Sequence, residues 1–207
     1  MKDTHKLFKE FNPNANVRVG VGNCLELTGN SKTNYPECQL IHHPSKQLQC
    51  WAARCLLDLM MEKESEIEYD QFCAPKIKNS DLHISISHSS NFVAIALSEY
   101  PVGVDIQIKQ DKIINIANKF VKKDESRPVN QQTLINWLHW QWGAKESLFK
   151  VYKKGSIDFK SMLKIDQIID ADALNFDSKG RIELADFKLE CMLHFVKLDN
   201  YFLVCAY

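Results

Sequence analysis

The sequence predicts an α+β protein, because strand-like and helix-like stretches come in groups and do not alternate. LHISIS, NFVAIALS and VGVDIQIK, between Leu82 and Lys109, carry period-two patterning, and the connections between them are too short for a crossover helix. HPSKQLQCWAARCLLDLMMEKE and LINWLHWQWGAKESLFKVYKK place their apolar residues at helical spacing instead.

Taken in order, a polar, Asn-rich opening leads to NVRVGVG (16–22) as a first strand. In the helix that follows, Ser45 is placed to cap the N-terminus, and Leu48, Trp51, Ala52, Cys55, Leu56 and Leu59 form the apolar stripe. Lys46 and Arg54 lie off that stripe, open to solvent or an anion. The three strands from Leu82 read as one antiparallel meander, with His88, Ser89 and Ser90 in its first turn and Glu99 to Pro101 in its second. IINIANKF is a short helix and residues 134–154 a long one, ended by Gly155. In the tail, DSKG (177–180) and LDN (198–200) read as turns and YFLVCAY as the last strand.

Composition narrows the function. Lys plus Arg and Asp plus Glu both number 26 in 207 residues, so no net charge favours nucleic acid or an anionic membrane. The opening MKDTHKLFKEF has charges where a signal peptide needs an apolar core, and no apolar run reaches the length of a membrane span. The expectation is a soluble cytoplasmic protein. The seven cysteines are odd in number, scattered and without a CxxC pair, which reads as reduced core thiols and neither a disulfide frame nor a zinc site.

The chemistry begins at PVGVDIQIK. Val102, Val104, Ile106 and Ile108 share one strand face, which leaves Gly103, Asp105 and Gln107 on the other. Either that second face is the solvated side of an edge strand, or Asp105 meets a cation or a donor, because an unpartnered buried carboxylate is costly. On the long helix Trp142, Lys145, Glu146, Phe149 and Lys153 fall on neighbouring turns, and Glu146 and Lys150 are spaced i, i+4. Singly these are ordinary: the pair is a common helix salt bridge, Trp137, Trp140 and Trp142 suit a core, and His88 can cap a turn.

In order, ISISHS (84–89), VGVDIQ (102–107) and WGAKESLFK (142–150) resemble the 4'-phosphopantetheinyl transferase superfamily, and SKQLQCWAAR resembles its coenzyme A helix. The length matches the larger, two-lobed, surfactin-synthetase-activating type. The resemblance implies a monomeric pseudo-dimer of two similar lobes, each a small antiparallel sheet packed on helices. One lobe is 1–100 and the other 101–207, with the ligand site between them. It implies transfer of the 4'-phosphopantetheine arm of coenzyme A to a serine of an acyl, peptidyl or aryl carrier protein, releasing adenosine 3',5'-bisphosphate, with Mg2+ as cofactor.

By the same resemblance Asp105, Glu146 and Gln107 would hold the metal, and Asp105, Glu146 and Lys150 would be catalytic. His88, Arg54, Lys46, Lys145 and Lys150 would bind coenzyme A. Gln107 stands where many larger members carry Glu, and Ala74 where they carry a Lys that Lys76 or Lys78 would have to replace. Lys109, Lys112, Lys119, Lys122, Lys123 and Arg127, against Asp111, Asp124 and Glu125, suit segment 109–127 either to an acidic carrier protein or to the solvated face of an amphipathic helix. The rival readings are a non-catalytic relative that binds coenzyme A or a carrier, and a magnesium-dependent phosphohydrolase.

Overall fold

The computed structural model describes residues 7–31, 35–123 and 125–207. The chain is α+β and divides into two compact units, Met1–Tyr100 and Pro101–Tyr207.

The first unit contains β1 (Phe8–Asn14), β2 (Val17–Asn23), α1 (Cys24–Asn30), α2 (Pro36–Gln39), α3 (Pro44–Met61), β3 (Ile67–Tyr69), β4 (Pro75–Ile77), β5 (His83–Ser89) and β6 (Phe92–Ser98). Its antiparallel sheet has the order β1-β2-β6-β5-β4-β3. The polar opening before the expected first strand contains a strand of its own, β1. An edge strand tolerates Pro13 because one side of it owes the ladder no hydrogen bonds, and the register with β2 breaks between Phe11 and Asn14. Asn23 caps α1 by accepting from the amides of Leu25 (3.0 Å) and Glu26 (3.4 Å). Ser45 does not cap α3: the helix begins a residue earlier at Pro44, whose missing N–H is no loss there. Cys55, Leu56, Leu57 and Met60 carry α3 into the core. His88 and Ser89 belong to β5 and not to the turn, which tightens to Ser90 and Asn91 with Ser90 at φ 51°.

The second unit contains β7 (Gly103–Ile108), a 3-10 helix (Asp111–Lys119), α4 (Gln131–Tyr152), β8 (Leu163–Ile165), β9 (Asn175–Leu184), β10 (Phe187–Leu198) and β11 (Tyr201–Ala206), in an antiparallel sheet of order β7-β11-β10-β9-β8. The expected three-stranded meander is corrected here. β7 does not continue it but pairs with β11, Asp105 opposite Val204. Period-two patterning identifies a strand and is silent about its partner. The expected turn at DSKG is corrected too, for those residues lie inside β9, with Gly180 opposite Cys191. Glycine at 180 leaves room for packing: a Cβ there would stand 2.9 Å from both Leu148 Cδ1 and Leu193 Cδ1, and the two leucines would have to shift. The LDN turn is present, with Asp199 at φ 49°.

Asn130 caps α4, accepting from the amides of Gln132 (2.9 Å) and Thr133 (3.1 Å), and the helix ends at left-handed Lys153, before Gly155. Trp140 is fully buried among Phe176, Phe195 and Phe202, and its indole N–H donates to the Ala171 carbonyl at 3.0 Å. Trp137 is buried as well, so both are core residues as their spacing suggested. No described helix is long and apolar enough to cross a membrane.

Candidate active site

Asp105 lies on an edge strand and is nevertheless only 7% exposed, because α4 covers its face of the sheet. Two glycines permit that approach. A Cβ at Gly103 would overlap the Ser147 carbonyl, 2.8 Å from its carbon, and one at Gly143 would stand 2.9 Å from both Gln107 Nε2 and Val204 Cγ2. Side-chain donors on α4 then reach the strands: Ser147 Oγ donates to the Val204 carbonyl at 2.9 Å, and Lys150 Nζ to the Val104 carbonyl at 2.7 Å. The same ammonium meets Asp105 Oδ1 at 3.0 Å. Of the two readings of the Asp105 face, solvated and partnered, the structure has the second.

The other oxygen of Asp105 faces Gln107, whose Nε2 donates to Oδ2 at 3.3 Å and to the His139 carbonyl at 3.1 Å. His139 fixes that orientation. The Gln110 amide donates to its Nε2 at 3.0 Å, so the ring proton is on Nδ1 and is donated to Gln107 Oε1 at 2.8 Å. Burial lowers the His139 pKa to about 4, which keeps the ring neutral, and the ring stacks on Phe202. In this arrangement the Gln107 oxygen accepts from His139, and its NH2 faces Asp105. Sequence reading treated the stretch around His139 as plain core and missed it. The available signal was spacing, since 139, 143, 146 and 150 recur on one helix face.

Glu146 sits on that face, mostly buried and with no hydrogen-bond donor among the described residues. Burial, then the charge of Asp105, raise its pKa to about 7, against a smaller opposing pull from Lys150. A carboxyl raised in this way holds its proton more tightly when folded. The cost is absent below the ordinary value of 4.5, grows as pH rises, and is complete above about 7, where it amounts to roughly 3 kcal/mol. In metal-free buffer Glu146→Gln should therefore be more stable than the parent at pH 8, with the gap shrinking towards pH 5. Urea midpoints at the two pH values check this, and an equal gap at both would contradict it.

The structure thus brings together Asp105, Gln107, Glu146 and Lys150. It gives Lys145 a different place. Helical residues advance by about 100° each, so the neighbour of Glu146 points elsewhere. The Lys145 ammonium is buried, donating to the Phe120 carbonyl with Glu125 4.0 Å away, and burial lowers its pKa. In this position it ties the segment after the 3-10 helix to α4. Lys46, Arg54 and His88 are in the first unit. Lys46 is exposed in the first turn of α3, and His88 is exposed near the end of β5. Arg54 is 5% exposed and its guanidinium is already held by Glu37 and by Cys50 Sγ. Near Ala74, Lys76 stands 3.8 Å from Asp70, and Lys78 pairs with Glu66 at 2.8 Å. In segment 109–127, Asp124 lies outside the described residues.

Residues 101–202 match the family model of the 4'-phosphopantetheinyl transferase superfamily. The chain is similar to 4'-phosphopantetheinyl transferase Sfp of Bacillus subtilis (strain 168), 30% identical over 137 residues that cover 64% of this chain and 56% of the relative. It is similar to 4'-phosphopantetheinyl transferase gsp of Aneurinibacillus migulanus, 36% identical over 80 residues covering 36% of this chain and 33% of that one. A third relative is 4'-phosphopantetheinyl transferase psf-1 of Bacillus pumilus, 28% identical over 123 residues, 56% of this chain and 48% of the relative. The match with the first of these spans about half of that relative's length. The family match runs along nearly the whole unit that holds Asp105, Glu146 and Lys150, and by it the chain belongs to the 4'-phosphopantetheinyl transferase superfamily.

Proposed function

We propose that the protein transfers the 4'-phosphopantetheine arm of coenzyme A to a serine hydroxyl of an acyl, peptidyl or aryl carrier protein, with adenosine 3',5'-bisphosphate leaving. The observation that carries this reading is the pair of mostly buried carboxyls, Asp105 and Glu146, beside the Lys150 ammonium on two elements packed rigidly together. Such a pair suits a hard divalent cation. Glu146 has no donor among the described residues, burial and Asp105 raise its pKa, and a cation would relieve both conditions. No cluster of three or more His, Cys, Asp or Glu is found among the described residues, so Asp105 and Glu146 would hold magnesium with water and phosphate oxygens completing its shell. Bound there, magnesium would neutralise charge on the pyrophosphate.

The chain's own groups do the rest. Gln107 and His139 hold Asp105 from one side and Lys150 from the other, so the carboxylate is oriented before any ligand arrives. Lys150, within reach of the acid pair, would turn its ammonium to a phosphate oxygen as the leaving group gains charge. Glu146, ionised when the cation is bound, would take the serine proton on a carboxylate oxygen or through a water that it orients. Lys46 and His88 are exposed and would meet phosphates of coenzyme A, while Arg54 would have to leave Glu37 to do so. The carrier would dock on the basic segment 109–127.

The test is to incubate the protein with an apo carrier, coenzyme A and magnesium and read the carrier's mass. A phosphopantetheine adduct is expected. Free bisphosphate without adduct would make the protein a phosphohydrolase, and neither product would make it a binding relative. Gln107→Glu checks the local chemistry, since it sets a carboxylate where an NH2 now faces Asp105. Without metal the variant should be less stable at pH 8, and in transfer it should need less magnesium for half-maximal rate, because attraction to a divalent ion exceeds repulsion among the acids. A magnesium titration at fixed coenzyme A reads the second effect, and an unchanged midpoint would contradict it.

A further inference from the structure

A second reactive grouping lies in the first unit, where α2 meets α3. Cys38 on α2 is buried, Cys50 on α3 is half-buried, and the two thiols lie near enough to shift each other's ionisation. One helical turn beyond Cys50, Arg54 donates Nη1–H to Cys50 Sγ at 3.1 Å and is kept there by Glu37 and the Cys50 carbonyl. With Arg54 only 5% exposed, this charged donor is largely shielded from water. Its effect is to favour the thiolate. The Cys38 thiol first, and Arg54 after it, outweigh burial and the Glu37 charge to lower the Cys50 pKa to about 7, while Cys38 is raised. Burial instead pushes Cys24 and Cys191 up to about 11.

We propose that Cys38 and Cys50 are a hydroperoxide-sensitive thiol pair that closes to a disulfide joining α2 to α3. The Cys50 thiolate attacks one peroxide oxygen, the O–O bond breaks, and hydroxide leaves, giving a sulfenic acid on Cys50. The Cys38 sulfur then attacks the Cys50 sulfur, the S–O bond breaks, and the departing hydroxide takes the Cys38 proton as water. Two thiols lose two electrons and one peroxide gains them. Closing the pair removes the thiolate from beside Arg54 and leaves Glu37 as its anionic partner. Cys50 receives the oxidant because it is the more accessible of the two, and Cys38, on the neighbouring helix, needs to reach only the Cys50 sulfur.

The test needs no transfer activity, so its failure and that of the transferase reading are distinguishable. The reduced full-length protein is treated with one equivalent of hydrogen peroxide, remaining thiols are capped with N-ethylmaleimide, and unreduced tryptic peptides are mapped. Peptides 33–46 and 47–54 hold Cys38 and Cys50 separately, so the disulfide appears as a linked pair lighter by two hydrogens. That pair is expected to dominate, ahead of oxidation at exposed Cys73. In Cys38→Ser the same treatment should leave Cys50 as a sulfenic acid captured by dimedone. Absence of the linked peptide after exhaustive oxidation, or oxidation of Cys73 before Cys50, would overturn the proposal, as would a Cys38→Ser chain that yields no dimedone adduct at Cys50.

Discussion

Asp105→Ala should lower phosphopantetheine transfer by on the order of a hundredfold or more while the chain stays folded. The carboxylate is held by Lys150 at 3.0 Å and by the Gln107 amide at 3.3 Å, so its removal leaves both donors aimed at an empty position and takes one of the two anionic groups from the proposed cation site. Glu146→Gln should cost a similar factor for a different reason. The amide keeps the shape, loses the charge, and accepts no proton at neutral pH. Both effects should appear in kcat more than in KM, because they belong to the reacting groups and not to uniform binding of coenzyme A. Circular dichroism confirms the fold, and near-parental turnover of either folded variant at saturating magnesium would remove that residue from the site.

The largest expected effect on stability is at Gly103. An alanine methyl there overlaps the backbone carbonyl of Ser147 and stands 3.2 Å from Lys150 Cβ, so α4 must lift from β7 or the strand must shift. Overpacking of side chains typically costs 1–3 kcal/mol, and a collision with helix backbone belongs at or above the top of that range, so Gly103→Ala should cost about 3 kcal/mol or more. Gly143→Ala meets a side-chain nitrogen and a methyl, which can yield, and should cost less. Three of the four tryptophans, Trp137, Trp140 and Trp142, lie on α4, so fluorescence in a urea titration reports mainly on this unit. A change within about 0.5 kcal/mol for Gly103→Ala would mean that the helix does not seat on the strand as described.

The sequence showed what is local. Hydrophobic period located the long helices, the hairpin strands and the last strand, and the spacing of Glu146 and Lys150 put both on one helix face. Long-range pairing was not legible. β7 follows the β5–β6 hairpin after a short connection, yet its partner is β11, almost a hundred residues on. DSKG has turn composition, but its glycine answers to Leu148 on a distant helix. Side-chain direction was lost in the same way. Lys145 shares a motif with Glu146, but its position on the helix sends it to Phe120, and the orientation of the Gln107 amide depends on a histidine 32 residues away. Arg54 was readable as a free cation only because Glu37 and Cys50 reach it through folding.

The central claim, that Asp105 and Glu146 form a divalent-cation site, is tested most directly by following the ionisation of Glu146 itself. In the chain labelled with 13C at glutamate side-chain carboxyls, the Glu146 signal is the one missing from Glu146→Gln, and its shift is read against pH with and without millimolar magnesium. Without metal the midpoint should lie near the value of about 7 that burial and Asp105 impose. With magnesium it should fall below about 5, since a divalent charge beside the carboxylate outweighs both influences. A midpoint that stays the same at saturating magnesium would contradict the account.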